Sequence, residues 1–71
     1  MKRLFYKQLG NNIKKIRKEL GLTQQELADK VGISLNFMGK IEVAFSKPSL
    51  DTLIDIANEL NTTISHLCDF K

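Results

Sequence analysis

Few residues in this chain can carry covalent or acid–base chemistry. His66 and Cys68 are the single histidine and single cysteine among 71 residues. Two positions apart on a helix, they do not face one another, so neither is placed to activate the other. No carboxylates pair on a common face, no glycine loop is patterned to cradle phosphate, and no metal-ligand spacing is present. One histidine and one cysteine cannot complete a four-ligand zinc site without carboxylates, and a lone cysteine closes no internal disulfide. The sequence therefore reads as a non-enzyme with no metal and no cofactor. His66 reads as a surface residue and Cys68 as a small hydrophobe.

What remains is the chemistry of charge. Lysine and arginine number 11 against 8 aspartates and glutamates, a net charge of +3. Residues 1–18 hold seven of the bases (Lys2, Arg3, Lys7, Lys14, Lys15, Arg17 and Lys18) and no acid, while the remainder holds four bases and eight acids. So uneven a distribution points to a polyanion, either nucleic acid or an anionic membrane surface. No apolar run approaches the ~20 residues of a bilayer span. Apolar arcs spread through residues 20–70 argue against a surface-bound peptide. A composition of 42% hydrophobic and 27% charged residues is that of an ordinary globular domain, and at this length there is one domain, residues 1–71. One cysteine and no signal segment make a reducing cytoplasm the expected compartment.

The elements that must position these charges are helical. Leu9, Ile13, Ile16 and Leu20 follow a helical spacing that ends at Gly21. Thr23 to Glu26 is a capping-box pattern, opening a short helix through Leu27, Ala28 and Val31 that stops at Gly32. Ser34 caps a third helix, Leu35 to Glu42. Ser49 caps a fourth, with Leu50, Leu53, Ile54, Ala57 and Leu60 on its apolar arc. Asn61-Thr62-Thr63 breaks that helix before a short fifth at Ile64 to Phe70. At 100° per residue, Asn36, Gly39 and Lys40 fall opposite Phe37, Met38 and Ile41 on the third helix. Glu42 lands on its apolar side, and Arg17 lands on the inward arc of the first helix. Two inward charges of opposite sign predict a partly buried ion pair, because an unpartnered buried charge is very costly.

The string from Ile16 to Ala28, centred on Thr23-Gln24-Gln25-Glu26, continues as Val31-Gly32-Ile33-Ser34, Ile41-Glu42, Pro48-Ser49-Leu50, Leu53 and Ile56-Ala57. It resembles the helix-turn-helix regulators of the phage-repressor and Cro type, the xenobiotic-response-element-like family, over about residues 9–68. The resemblance implies an all-α bundle of five short helices, the second and third forming the helix-turn-helix. It also implies a sequence-specific, double-stranded-DNA-binding transcriptional regulator, commonly a repressor, acting as a homodimer on a two-fold operator. Residues 34–42 would then enter the major groove, putting Leu35, Asn36, Gly39 and Lys40 at base edges. Asn36 suits a bidentate contact to adenine, Lys40 a guanine or a phosphate, and Leu35 a thymine methyl. Phosphate contacts fall to Gln24 and Thr23 at the start of the second helix, to Ser34, and to Ser46 and Lys47 in the loop after the third. Phe37 is expected to pack against the bundle.

In the sequence no dimerisation domain is legible beyond these helices, so Ile64, Leu67, Cys68 and Phe70 are the candidate dimer contacts. The family commonly has glycine where this chain has Ala44, so the turn after the third helix is expected to be built differently. Val43 and Phe45 are apolar in the same turn, either an exposed patch for a protein partner or a cover on the core. An alternative function on the same fold is an antitoxin, which neutralises a partner protein and autoregulates its operon.

Overall fold

The computed structural model describes residues 2–69, as five helices and, among those residues, no strand. They are α1 (Lys2–Glu19), α2 (Gln24–Val31), α3 (Leu35–Glu42), α4 (Leu50–Glu59) and α5 (Ile64–Leu67). The last four begin alike. Thr23, Ser34, Ser49 and Thr63 each hold an extended backbone and accept, through the side-chain hydroxyl, the amide three residues on. Each cap satisfies an otherwise orphaned donor. At α2 the box is complete, since the Thr23 amide donates to Glu26 Oε1 at 2.9 Å.

The first four helices also end alike, and here one expectation fails. Each closes through a left-handed residue, Gly21, Gly32, Ala44 or Asn61, with the next amide reaching back five residues. Leu22 donates to the Arg17 carbonyl, Ile33 to Ala28, Phe45 to Lys40 and Thr62 to Ala57. Ala44 at φ +63° thus takes the left-handed conformation of the glycine turns at Gly21 and Gly32 rather than building a different one. The Cβ strain of about 1–2 kcal/mol is offset by two backbone bonds, Ala44 to Ile41 and Phe45 to Lys40, that satisfy carbonyls at the helix end.

The core is one cluster contributed by all five helices, with Leu9, Ile13, Leu27, Met38, Ile41, Ile56 and Leu67 fully buried. Phe37 is half-buried against it. Several readings need correction. α1 begins near the start of the chain, seven residues before Leu9, and Leu20 lies past its end, exposed. On α4 the buried stripe is Leu53, Ile56, Ala57 and Leu60; Leu50 in the first turn and Ile54 beside it face outward. Leu67, read as a dimer contact, has no exposed surface and closes the core instead. Ile64 and Cys68 are half-buried against the same core, and Phe70 lies outside the described residues.

Gly10 is the tightest joint in the bundle. A Cβ there would come within 2.6 Å of the Ile41 and Glu42 carbonyl oxygens, so α1 and α3 approach at a distance only glycine allows. Asn12 ties the other end of the molecule, its amide donating to the Leu67 carbonyl at 2.8 Å, which satisfies an acceptor at the end of α5.

Candidate nucleic-acid interface

The inner side of α3 is fixed by a network of charge. Arg17 Nε and Nη2 donate to the two oxygens of Glu42, at 2.7 and 3.0 Å, a bidentate geometry. Its Nη1 donates to the Leu22 carbonyl at 2.8 Å, so the guanidinium also holds the turn that leads into α2. Gln24 Nε2 completes the set with a 2.9 Å bond to Glu42 Oε1. Arg17 and Glu42 are both buried, and no buried side-chain polar atom among the described residues lacks a partner. One carboxylate at the end of α3 is thereby bonded to α1 and to the first residue of α2. The angle between the two helices of the helix-turn-helix is held from inside.

That clamp leaves the opposite side of α3 to solvent. Leu35, Asn36, Gly39 and Lys40 line one shallow concavity of about 450 Å³, with Gln24 along one side and Val43 and Phe45 at one end. Gly39 lies beside the Gln24 amide, where a Cβ would sit at an ordinary contact distance of 3.8 Å from Gln24 Oε1. The surface offers a bidentate amide, an ammonium and apolar groups side by side, the set that reads base edges in the major groove.

The residues read as phosphate contacts are distributed less evenly. Gln24 lines the concavity, but its amide donor is engaged by Glu42. Thr23 has its backbone amide committed to the Glu26 carboxylate. The Thr23 amide, and after it the Thr23 hydroxyl, hold the Glu26 carboxyl below its ordinary pKa, so this helix start carries its own anion. The hydroxyl of Ser34 accepts the Phe37 amide at 3.0 Å, which leaves its O–H as a donor. Ser46 donates its amide to the Lys40 carbonyl. Lys47 leaves the concavity altogether, its Nζ lying 5.3 Å from the centre of the Tyr6 ring on α1. Lys14, Lys15 and Lys18 are exposed along α1 and contribute a diffuse positive field.

Gly10 went unread in the sequence. It shares the inner stripe of α1 with Ile13 and Arg17, and a glycine at that spacing is a signal of close approach. Val43 and Phe45 had two readings, and they are 69% and 77% exposed, so they form a patch and cover no core. Cys68 is half-buried against the core, and burial raises its thiol pKa.

A family model described as helix-turn-helix matches residues 13–67, from the inner stripe of α1 to the last residue of α5. The chain belongs to the helix-turn-helix family. The immunity repressor protein of Bacillus phage phi105 is 42% identical over 57 residues, 80% of this chain and 40% of that protein. Antitoxin HipB of Escherichia coli is 38% identical over 64 residues, 90% of this chain and 67% of that protein. Among solved structures, SinR, a regulator from Bacillus subtilis whose structure was determined in complex with DNA, superposes with a TM-score of 0.80. The identity there is 32%, over 86% of this chain and 98% of that one. The chain spans about half the length of the first of its curated relatives. Within this helix-turn-helix family the clamp at Arg17 and Glu42 lies inside the matched segment, as do the concavity on α3 and the turn at Ala44.

Proposed function

We propose that this chain is the operator-reading domain of a transcriptional repressor, inserting α3 into the major groove of double-stranded DNA. The observation that carries the reading is the set Leu35, Asn36, Gly39 and Lys40, the first two exposed and the last two half-buried, lining one concavity on a helix whose other face is clamped. The same fold in SinR has been solved on DNA. Asn36 would pair with adenine and Lys40 with guanine, while Leu35 meets a thymine methyl. Gln24, Thr23, Ser34 and Ser46 would hold phosphates on the flanks once the duplex displaces water, with Lys47 reaching from the Tyr6 side. One copy covers too few base pairs for genomic discrimination. Two copies about 34 Å apart would read half-sites one turn apart. Of the candidate interface residues, Ile64 and Cys68 are half-buried at the end of the bundle and would serve in such a contact together with Phe70, which lies outside the described residues.

Selection of bound duplexes from a random pool at near-physiological salt tests this. The expected result is a short two-fold symmetric consensus bound ~10³-fold or more above scrambled DNA. No consensus, with weak binding that vanishes as salt rises, would reduce the interaction to the basic field alone. A second reading, favoured by the likeness to Antitoxin HipB, adds a partner protein to be neutralised. A small toxin encoded in an adjacent reading frame, binding this chain and losing its toxicity, distinguishes it from a repressor that acts alone.

A further inference from the structure

The turn after α3 does more than end the helix. Ala44 in its left-handed conformation swings the chain back so that the Phe45 and Ser46 amides both donate to the Lys40 carbonyl, at 2.8 and 3.2 Å. Phe45 is thereby laid beside Lys40, and Lys40 Nζ lies 5.7 Å from the centre of its ring, within cation–π range. The ring is 77% exposed and is not held there by the core. Both side chains line the concavity that also holds Asn36 and Gly39. A lysine on an open helix surface samples many rotamers, and its last-turn position draws the ammonium toward the helix end. The ring supplies a preferred resting place on that path, inside the concavity.

The geometry points to Phe45 as a positioning residue for base recognition. It holds the Lys40 ammonium over the reading face, toward the base edge that Lys40 contacts, and away from the surrounding phosphates. A restrained ammonium loses less freedom on forming its hydrogen bond, and it approaches guanine O6 and N7 from one side. This rests on the DNA-reading function proposed above and specifies how one of its contacts is selective.

The test compares wild type with Phe45→Ala, Phe45→Leu, Lys40→Met and the Phe45→Leu/Lys40→Met pair. Affinities are measured across duplexes carrying each single base-pair change in the selected half-site, and melting is recorded on the same samples. Phe45→Leu keeps an apolar group in the turn and removes the π face. The inference expects Phe45→Ala and Phe45→Leu to lower discrimination about two- to fivefold at the same base pair that Lys40→Met affects. It expects the pair to lose no more there than Lys40→Met does. A cap alone would change melting and leave base preference intact. The inference is overturned if the Phe45 variants weaken all duplexes equally, affect a different base pair, keep discrimination with leucine in place, or add to Lys40→Met. If wild type prefers no duplex, the DNA-reading function falls with it; if wild type is selective and only the Phe45 pattern is missing, this inference falls alone.

Discussion

The two sides of α3 are built on opposite terms. Its inner side meets α1 at a joint where no Cβ fits, and a carboxylate there has every oxygen bonded by Arg17 and Gln24. Its outer side ends in a strained alanine turn and leaves Leu35, Val43 and Phe45 in solvent. Low-dielectric, fully partnered charge fixes one arrangement, because breaking any part of it leaves a costly orphan. Exposed side chains on a fixed helix can vary without unfolding the domain. The lesson is a division of labour within eight residues: one face keeps the helix where it is, so the other is available to recognise something.

Removing one partner of the clamp should break this division most severely. Arg17→Ala leaves the Glu42 carboxylate buried with the Gln24 amide as its remaining partner, and a loss of about 3–5 kcal/mol is expected, read by denaturant unfolding. Replacing both charges together, Arg17→Met with Glu42→Leu, should recover a substantial part of that loss. If the double variant is worse than the single, the pair is not the source of the penalty. Gly10→Ala comes next. It gains helix propensity of about 1 kcal/mol but forces backbone apart at 2.6 Å, so a net loss of about 1–3 kcal/mol is expected. A neutral result would mean α1 can shift on α3, and the inner face would not be the fixed one.

Much of the inner face was legible from the chain alone. Serine and threonine caps, glycine stops and the inward arcs of Arg17 and Glu42 are short-range patterns, and periodicity reads them directly. What stayed hidden depends on partners distant in sequence. The first two turns of α1 lack a capping signal and carry an exposed Leu4, so nothing periodic announced them. Gly10 stayed unread because its role is set by carbonyls 31 and 32 residues away. Leu50 and Ile54 fit an apolar arc, yet both are exposed; Leu67 fit a dimer face but fills the core. On the outer side, Asn36, Gly39 and Lys40 separated cleanly by angle. The Ala44 turn did not, because alanine gives no sequence sign of a left-handed conformation that the two returning amides impose.

Two smaller changes sharpen the contrast. Ala44→Gly relieves the positive φ and should stabilise the domain by about 1 kcal/mol, seen as a higher melting temperature. Because the returning bonds persist, it should leave duplex preference unchanged; an altered preference would show that the Cβ itself takes part in reading. The smallest effect concerns the start of α2. Hydrogen bonds from Thr23 depress the Glu26 pKa from its ordinary value of 4.5. A depressed folded-state pKa contributes stability above the ordinary value that is lost as pH falls through the folded one. Glu26→Gln keeps the capping pattern without the charge, so its melting temperature should fall less than that of wild type between neutral pH and the range below 4.5. An equal fall in both proteins would remove Glu26 from the acid response.

The most direct test of the division is Asn36→Ala, with duplex selection and thermal melting run on the same preparation. Asn36 is exposed on the outer face of α3 and its side chain bonds to no core group. The account predicts an unchanged or slightly higher melting temperature, together with preference relaxed at one position per half-site by about 1–3 kcal/mol. An unchanged consensus, or a loss of selectivity that comes with a lowered melting temperature, would contradict it.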